Sequence, residues 1–116
     1  MIITVGNWVW TIKMVPEHDD RLIDRTGART LGTTDILRRT VYLNNTLRGD
    51  MLKKVFLHEI GHCIMVSYGY LQYLHRLVPK RHWIEAEEAI CNFLARHSIE
   101  ALNWYREFNE KGVYDW

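Results

Sequence analysis

Residues 56 to 65 read Phe-Leu-His-Glu-Ile-Gly-His-Cys-Ile-Met, with two histidines and a glutamate set among apolar side chains. A helix that buries such a run must find partners for its ionisable groups, because an unmatched buried charge is costly. Gly61, in its middle, costs about 1 kcal/mol relative to alanine in a helix interior. Whatever this chain folds into must bring complementary groups to His58, Glu59 and His62 and place something close against Gly61.

The surrounding pattern limits where those groups come from. Apolar residues recur at helical spacing from Asp50, a candidate N-cap, to Tyr68, and Gly69 is a natural stop. After a loop, Tyr70–Pro79, that has room for a short helical turn, a second long helix is predicted from His82 to Asn109, ending near Gly112. The N-terminal half has period two instead. Trp10, Ile12 and Met14 alternate with Thr11 and Lys13 over Trp8–Val15, Pro16 ends that strand, and a polar loop follows. Two further strands, Arg29–Thr34 and Arg39–Asn44, are joined through Asp35–Arg38. Sheet first and helices second predicts an α+β fold: a three-stranded antiparallel sheet, then two helices packed on one face.

The bulk numbers fit one domain over residues 1–116. Hydrophobic content of 47% and charged content of 25% are those of a soluble globular protein. A net charge of +1 gives no electrostatic case for nucleic acid or an acidic membrane surface. No apolar run reaches the roughly 18–20 residues needed to span a bilayer. Met1–Gly6 lacks the basic and long apolar regions of a signal peptide. Cys63 and Cys91 are too few for a disulfide framework, so a cytoplasmic location is expected.

His58-Glu59-Ile60-Gly61-His62 fits H-E-x-x-H. Residues four apart on a helix lie about 40° from each other, so both imidazoles leave one face within reach of a single metal ion. Neutral imidazole is a good zinc ligand. Glu59, about 100° around from His58, is placed to contact a water rather than the metal. A third ligand must come from elsewhere, and Glu85, Glu87 and Glu88 compete for it on the second helix. At about 100° per residue, Glu88 falls amid Ile84, Cys91, Ala95, Ile99 and Leu102, where a bare carboxylate would be costly. Glu85 shares its face with Arg81, Asn92 and Arg96, a solvated edge, and Glu87 points about 100° away from Glu88. Glu88 is therefore the expected ligand. Gly61 and the small residues Cys91 and Ala95 would let the two helices approach closely.

"HEIGH" followed by "EAICNFLA" resembles the ImmA/IrrE family of zinc-dependent peptidases, the M78 type. Their third ligand opens an E-x-x-[AC]-N-x-[FL]-A helix. The similarity extends over "GTTDILRRTVYLNNTLRGDMLKKVFLHEIGH" and covers roughly Gly32 to Leu102. It implies a minimal zincin-like domain with His58, His62 and Glu88 as zinc ligands and Glu59 as catalytic base. It also implies a protein or peptide substrate, often a helix-turn-helix repressor, and a phage or mobile-element setting.

On this expectation zinc activates a water, Glu59 takes its proton, and a peptide bond is hydrolysed. By analogy with zincins, the substrate lies along an edge strand at Leu31, Gly32, Thr33 and Thr34. Tyr68, Tyr70, Tyr73, His75, His82 and His97 are all candidate oxyanion donors. Trp10, Trp83 and Trp104 are expected to pack in the core or on the sheet. The alternative is a non-catalytic interaction protein in which zinc staples two helices and a repressor or other protein is bound without being cut.

Overall fold

A computed structural model describes residues 1–111; Gly112, the expected end of the last helix, lies outside them. The α+β class is as expected, but the sheet has four strands, β1 (Ile2–Val5), β2 (Trp8–Val15), β3 (Gly32–Asp35) and β4 (Thr40–Asn44). They lie in the order β1-β2-β4-β3. The expectation of three antiparallel strands is corrected in two ways. First, Met1–Gly6 contributes β1, paired with β2 through the Gly6-Asn7 turn. Gly6 has φ +60°, which suits a two-residue type II′ hairpin turn and escapes a reading that looked there only for a leader. Second, β2 pairs parallel to β4, with Thr11 opposite Thr40 and Val15 opposite Asn44. The long loop after Pro16 crosses the sheet, so the β3–β4 hairpin returns with β4 in the middle and β3 at the edge.

Every residue of β4 is buried, as a central strand covered on both faces requires. The strands of the hairpin are shorter than expected and are joined by Ile36–Arg39. Arg39 adopts φ +48° there, and its guanidinium lies 3.5 Å over the Trp8 ring.

Three helices follow: α1 (Gly49–Ser67), α2 (Tyr70–Leu77) and α3 (Trp83–Glu110). Arg48 occupies the N-cap position of α1, and Asp50, the expected N-cap, lies in its first turn, two residues further on. There its carboxylate still complements the helix dipole. Gly69, at φ +76°, stops α1 in the left-handed conformation. The segment read as a loop is α2, whose Tyr70, Tyr73, Leu74 and Leu77 recur at i, i+3, i+4 and i+7 along one face.

The core lies between the sheet and α1. Trp10, Ile12, Val41, Leu43 and Cys63 are buried together, with Phe56, Ile60 and Val66 packed against them. Trp10 Nε1 donates to Ser67 Oγ at 2.9 Å, tying the sheet to the end of α1. Trp83 is half-buried, stacks on His75 at 3.8 Å and donates to the Val78 carbonyl. Trp104 departs from expectation: it is 68% exposed, because α3 is about 42 Å long at 1.5 Å per residue and outruns the body. The same overhang leaves Leu102 exposed, while Cys91 and Ala95 of the expected apolar stripe are buried. Ile84, near the other end of the stripe, is also exposed. Among the described residues, no helix is long and apolar enough to cross a membrane.

Candidate metal centre

The α1–α3 contact is built around the glycine. A Cβ on Gly61 would meet Cys91 Sγ at 3.1 Å, Leu94 Cδ2 at 3.3 Å and Cys91 Cα at 3.4 Å. Close backbone approach is therefore the reason for glycine in this helix, and it brings the first turns of α3 level with His58 and His62.

One turn apart on α1, His58 and His62 direct their Nε2 atoms to a common point, 3.3 Å from each other. From α3, Glu88 Oε2 lies 2.9 Å from His58 Nε2 and Glu88 Oε1 lies 3.3 Å from His62 Nε2. The ligand atoms of these three residues all fall within 4.8 Å of one another, so the group can hold a metal ion. Cys63 is buried, and burial pushes its thiol up to about 12. Neither it nor Cys91 belongs to the group. Glu85 is exposed, its carboxylate 3.4 Å from His82 Nδ1, as its wheel position predicts.

Glu87 is the residue that sequence reasoning missed. It is 2% exposed, and His62 Nδ1 donates to its Oε1 at 2.8 Å. A buried carboxylate on Nδ1 fixes the tautomer and leaves the Nε2 lone pair for a metal, the usual support of a ligating histidine. Arg25 Nη1 donates in turn to Glu87 Oε2 at 3.0 Å, and its Nη2 lies 3.4 Å from Glu88 Oε1. Adjacent glutamates diverge on a helical wheel. Here the His62 ring enters between them, so that Glu87 meets one ring nitrogen and Glu88 the other. The sequence signal was present: two acidic residues in the helix segment that must face a buried histidine. Glu87→Ala is expected to weaken metal binding roughly 10–100-fold, the usual cost of losing such a support. A chelator-competition titration measures it.

The electrostatics favour positive charge at the centre. Hydrogen bonds from His58 and His62 hold the Glu88 carboxyl well below the usual carboxylate range. Burial works against an ionised Glu87, but His62 and Arg25 more than offset it and its carboxyl also stays low. Burial likewise opposes a charged His62 ring. Its contacts with Cys91, Glu87 and Glu88 overcome this, and the imidazole is pushed up to about 12. A cation bound between the rings takes the place of that proton, so acid opposes metal binding.

Glu59 behaves differently. It is 4% exposed, and its Oε2 is buried with no hydrogen-bond partner. Burial raises its carboxyl above the usual range, against the pull of His62 and His58. Its side chain lines a cleft of about 670 Å³ together with His58, His62, Glu87, Glu88 and Arg25. Leu31, Gly32, Thr33 and Thr34 line the same cleft. Of these, Gly32–Thr34 belong to edge strand β3, which among the described residues pairs only with β4. Thr34 Oγ1 is 3.4 Å from the Glu59 carbonyl oxygen, so β3 rides directly over the helix that carries the centre. Gly32 makes that approach possible, since a Cβ there would meet Val55 Cγ1 at 2.8 Å and Glu59 Cγ at 3.1 Å. Gly32→Ala is expected to destabilise the fold by about 1–3 kcal/mol, the usual scale of overpacking, as read by chemical denaturation.

Tyr68, Tyr70, Tyr73, His75, His82 and His97, the candidate oxyanion donors, are not among the cleft-lining residues. Arg25 is, and it comes from the polar loop after β2, where no periodicity marks it. Compared with protein-family models and with curated proteins, the chain matches none.

Proposed function

We propose that this chain is a zinc-dependent peptidase that hydrolyses a peptide bond in a protein substrate. The single observation that carries the reading is Glu59: a buried carboxylate with one unpartnered oxygen, beside a His-His-Glu group at the bottom of an open cleft. A metal that merely stapled α1 to α3 would need His58, His62 and Glu88 but would have no use for that oxygen, which costs stability where it stands. The resemblance of its two motif segments to the ImmA/IrrE peptidases supports the same reading.

Two imidazole nitrogens and one carboxylate suit zinc, and such a set leaves room for reacting groups. When bound, zinc supplies Lewis acidity, polarising a carbonyl and making water a nucleophile near neutral pH. The chain's own residues do the rest. Glu59 accepts the proton of the attacking water on its carboxylate and passes it to the leaving amine. Its raised pKa suits both halves of that transfer. Glu87 holds His62 in the ligating tautomer, and Arg25 neutralises the Glu87–Glu88 pair. The open edge of β3 receives the substrate backbone by strand addition.

The test is protein purified without chelator and incubated with a proteome-derived peptide library, cleavage being read by mass spectrometry. Cleavage that tracks one zinc per chain, stops on chelation and returns with zinc is expected. A stoichiometric metal with no cleavage at any concentration would give the staple reading instead.

A further inference from the structure

The α2–α3 side of the molecule, away from the cleft, carries an apolar groove of about 390 Å³ lined by Gly61, Ile64, Tyr73, Leu77, Ile90 and Phe93 among others. Its lip does not stop where the body stops. At about 100° per residue, Ile90, Phe93, His97, Ala101, Trp104 and Phe108 fall within about 80° of one another on α3. They form one stripe about 27 Å long at 1.5 Å per residue. Phe93 and Trp104, near its two ends, are each 68% exposed. Arg96 and Glu100 flank the stripe on its solvent side and are exposed as well.

The order of side chains along the stripe identifies what covers it. About a midpoint near residue 99 the stripe is its own reverse. Phe93 mirrors Trp104, Ile90 mirrors Phe108, and the small or polar His97 mirrors Ala101. A second α3 laid antiparallel across the first therefore sets large side chains against large ones at both ends and lets the helices close at the centre. The same two-fold axis places Arg96 beside Glu100 of the partner subunit, twice. Within one chain Glu100 Oε2 lies 3.9 Å from His97 Nδ1. It also brings Trp104 of the partner subunit over the groove beside Tyr73 and Leu77. We infer that this face is a homodimer interface, formed by antiparallel pairing of α3 with α3 of a second copy, Trp104 of each seated in the other's groove.

The area is of the right size. Tyr70, Tyr73, Leu77, Ile90, Phe93 and Trp104 are each about half exposed or more. At roughly 150–250 Å² per large side chain they leave on the order of 600 Å² open. About 600 Å² per partner, roughly 1,200 Å² in all, is the lower end of specific protein–protein interfaces. Along the overhang Glu100, Glu107 and Glu110 are matched by Arg96, Arg106 and Lys111, so the face lacks the net basic flanks of a membrane-surface helix.

Sedimentation equilibrium of the full chain is expected to give twice the 13.9 kDa of one chain at tens of micromolar, with or without zinc. Trp104→Glu should raise the dimer dissociation constant at least about 30-fold, the scale of an interface hot spot. Trp104 is on the overhang, so the circular dichroism and metal content should be unchanged. Arg96→Glu should weaken the dimer and the double variant Arg96→Glu/Glu100→Arg should restore it, a rescue that only pairing between copies explains. A monomer at 100 micromolar, a dimer indifferent to Trp104→Glu, or a charge swap without rescue would overturn the proposal. So would a monomer that binds anionic vesicles through this face.

Discussion

Replacing Glu59 with glutamine is expected to abolish peptide cleavage while making the metal-free protein more stable. The loss should be at least about 10²–10⁴-fold, because a glutamine amide cannot take a proton from water. Zinc content should stay at one per chain, since Glu59 is outside the His58–His62–Glu88 group. The gain in stability follows from removing a carboxylate charge that burial penalises and has a definite sign with pH. Burial raises the folded-state pKa of Glu59 above its ordinary 4.5. The stability tied to its protonated form is therefore fully present below about pH 4.5 and lost as pH rises through the folded value. The glutamine variant has no such loss. Its advantage in the absence of metal should open above pH 4.5 and level off beyond the folded pKa. Its size should be on the order of 1 kcal/mol or more, a shift of several degrees in Tm. Thermal melts of both proteins in chelator across that pH range test this. Equal melting curves at pH 7, or residual cleavage by the variant, would remove Glu59 from the role of base.

Glu88→Ala is expected to reduce zinc content from one per chain to near none at micromolar protein, and Glu85→Ala to leave it unchanged. The two residues are three positions apart on the same helix, but only Glu88 reaches both imidazoles, at 2.9 and 3.3 Å. The deficit for Glu88→Ala should exceed the roughly 10–100-fold expected for the supporting Glu87. Inductively coupled plasma analysis after gel filtration distinguishes all three. If Glu87→Ala cost more metal than Glu88→Ala, the assignment of ligand and support would be exchanged.

Much of the centre was legible because it is written in one periodicity. His58, Glu59, His62 and Glu88 all follow from where a 3.6-residue period sends side chains, and Gly61 from the need for close approach. What escaped followed other rules. Glu87 is placed by a ring inserted between two helices, which no single-helix wheel describes. Arg25 comes from a loop held by Asp24, which accepts hydrogen bonds from the backbone of Thr26 and Ala28; turn chemistry of that kind has no period. The sheet was misjudged for a different reason. Strand length and alternation are local, but the neighbour of β4 depends on how a long loop crosses the sheet. One clue was available: Thr40-Val41-Tyr42-Leu43 does not alternate, as an edge-facing hairpin strand would, and an unbroken apolar run belongs in the middle of a sheet.

That parallel pair also sets an order in time. Parallel alignment of β2 with β4 cannot form until the whole stretch between Val15 and Thr40 has been drawn into a loop, and long closures are slow to repay their entropy. The contact of Gly61 with Cys91 spans a comparable separation in sequence, but most of that connection is helix (the end of α1, α2 and the start of α3) that forms from local contacts first. Folding is accordingly expected to bring the ligand-bearing helices together early, with the substrate-receiving edge of the sheet completed last.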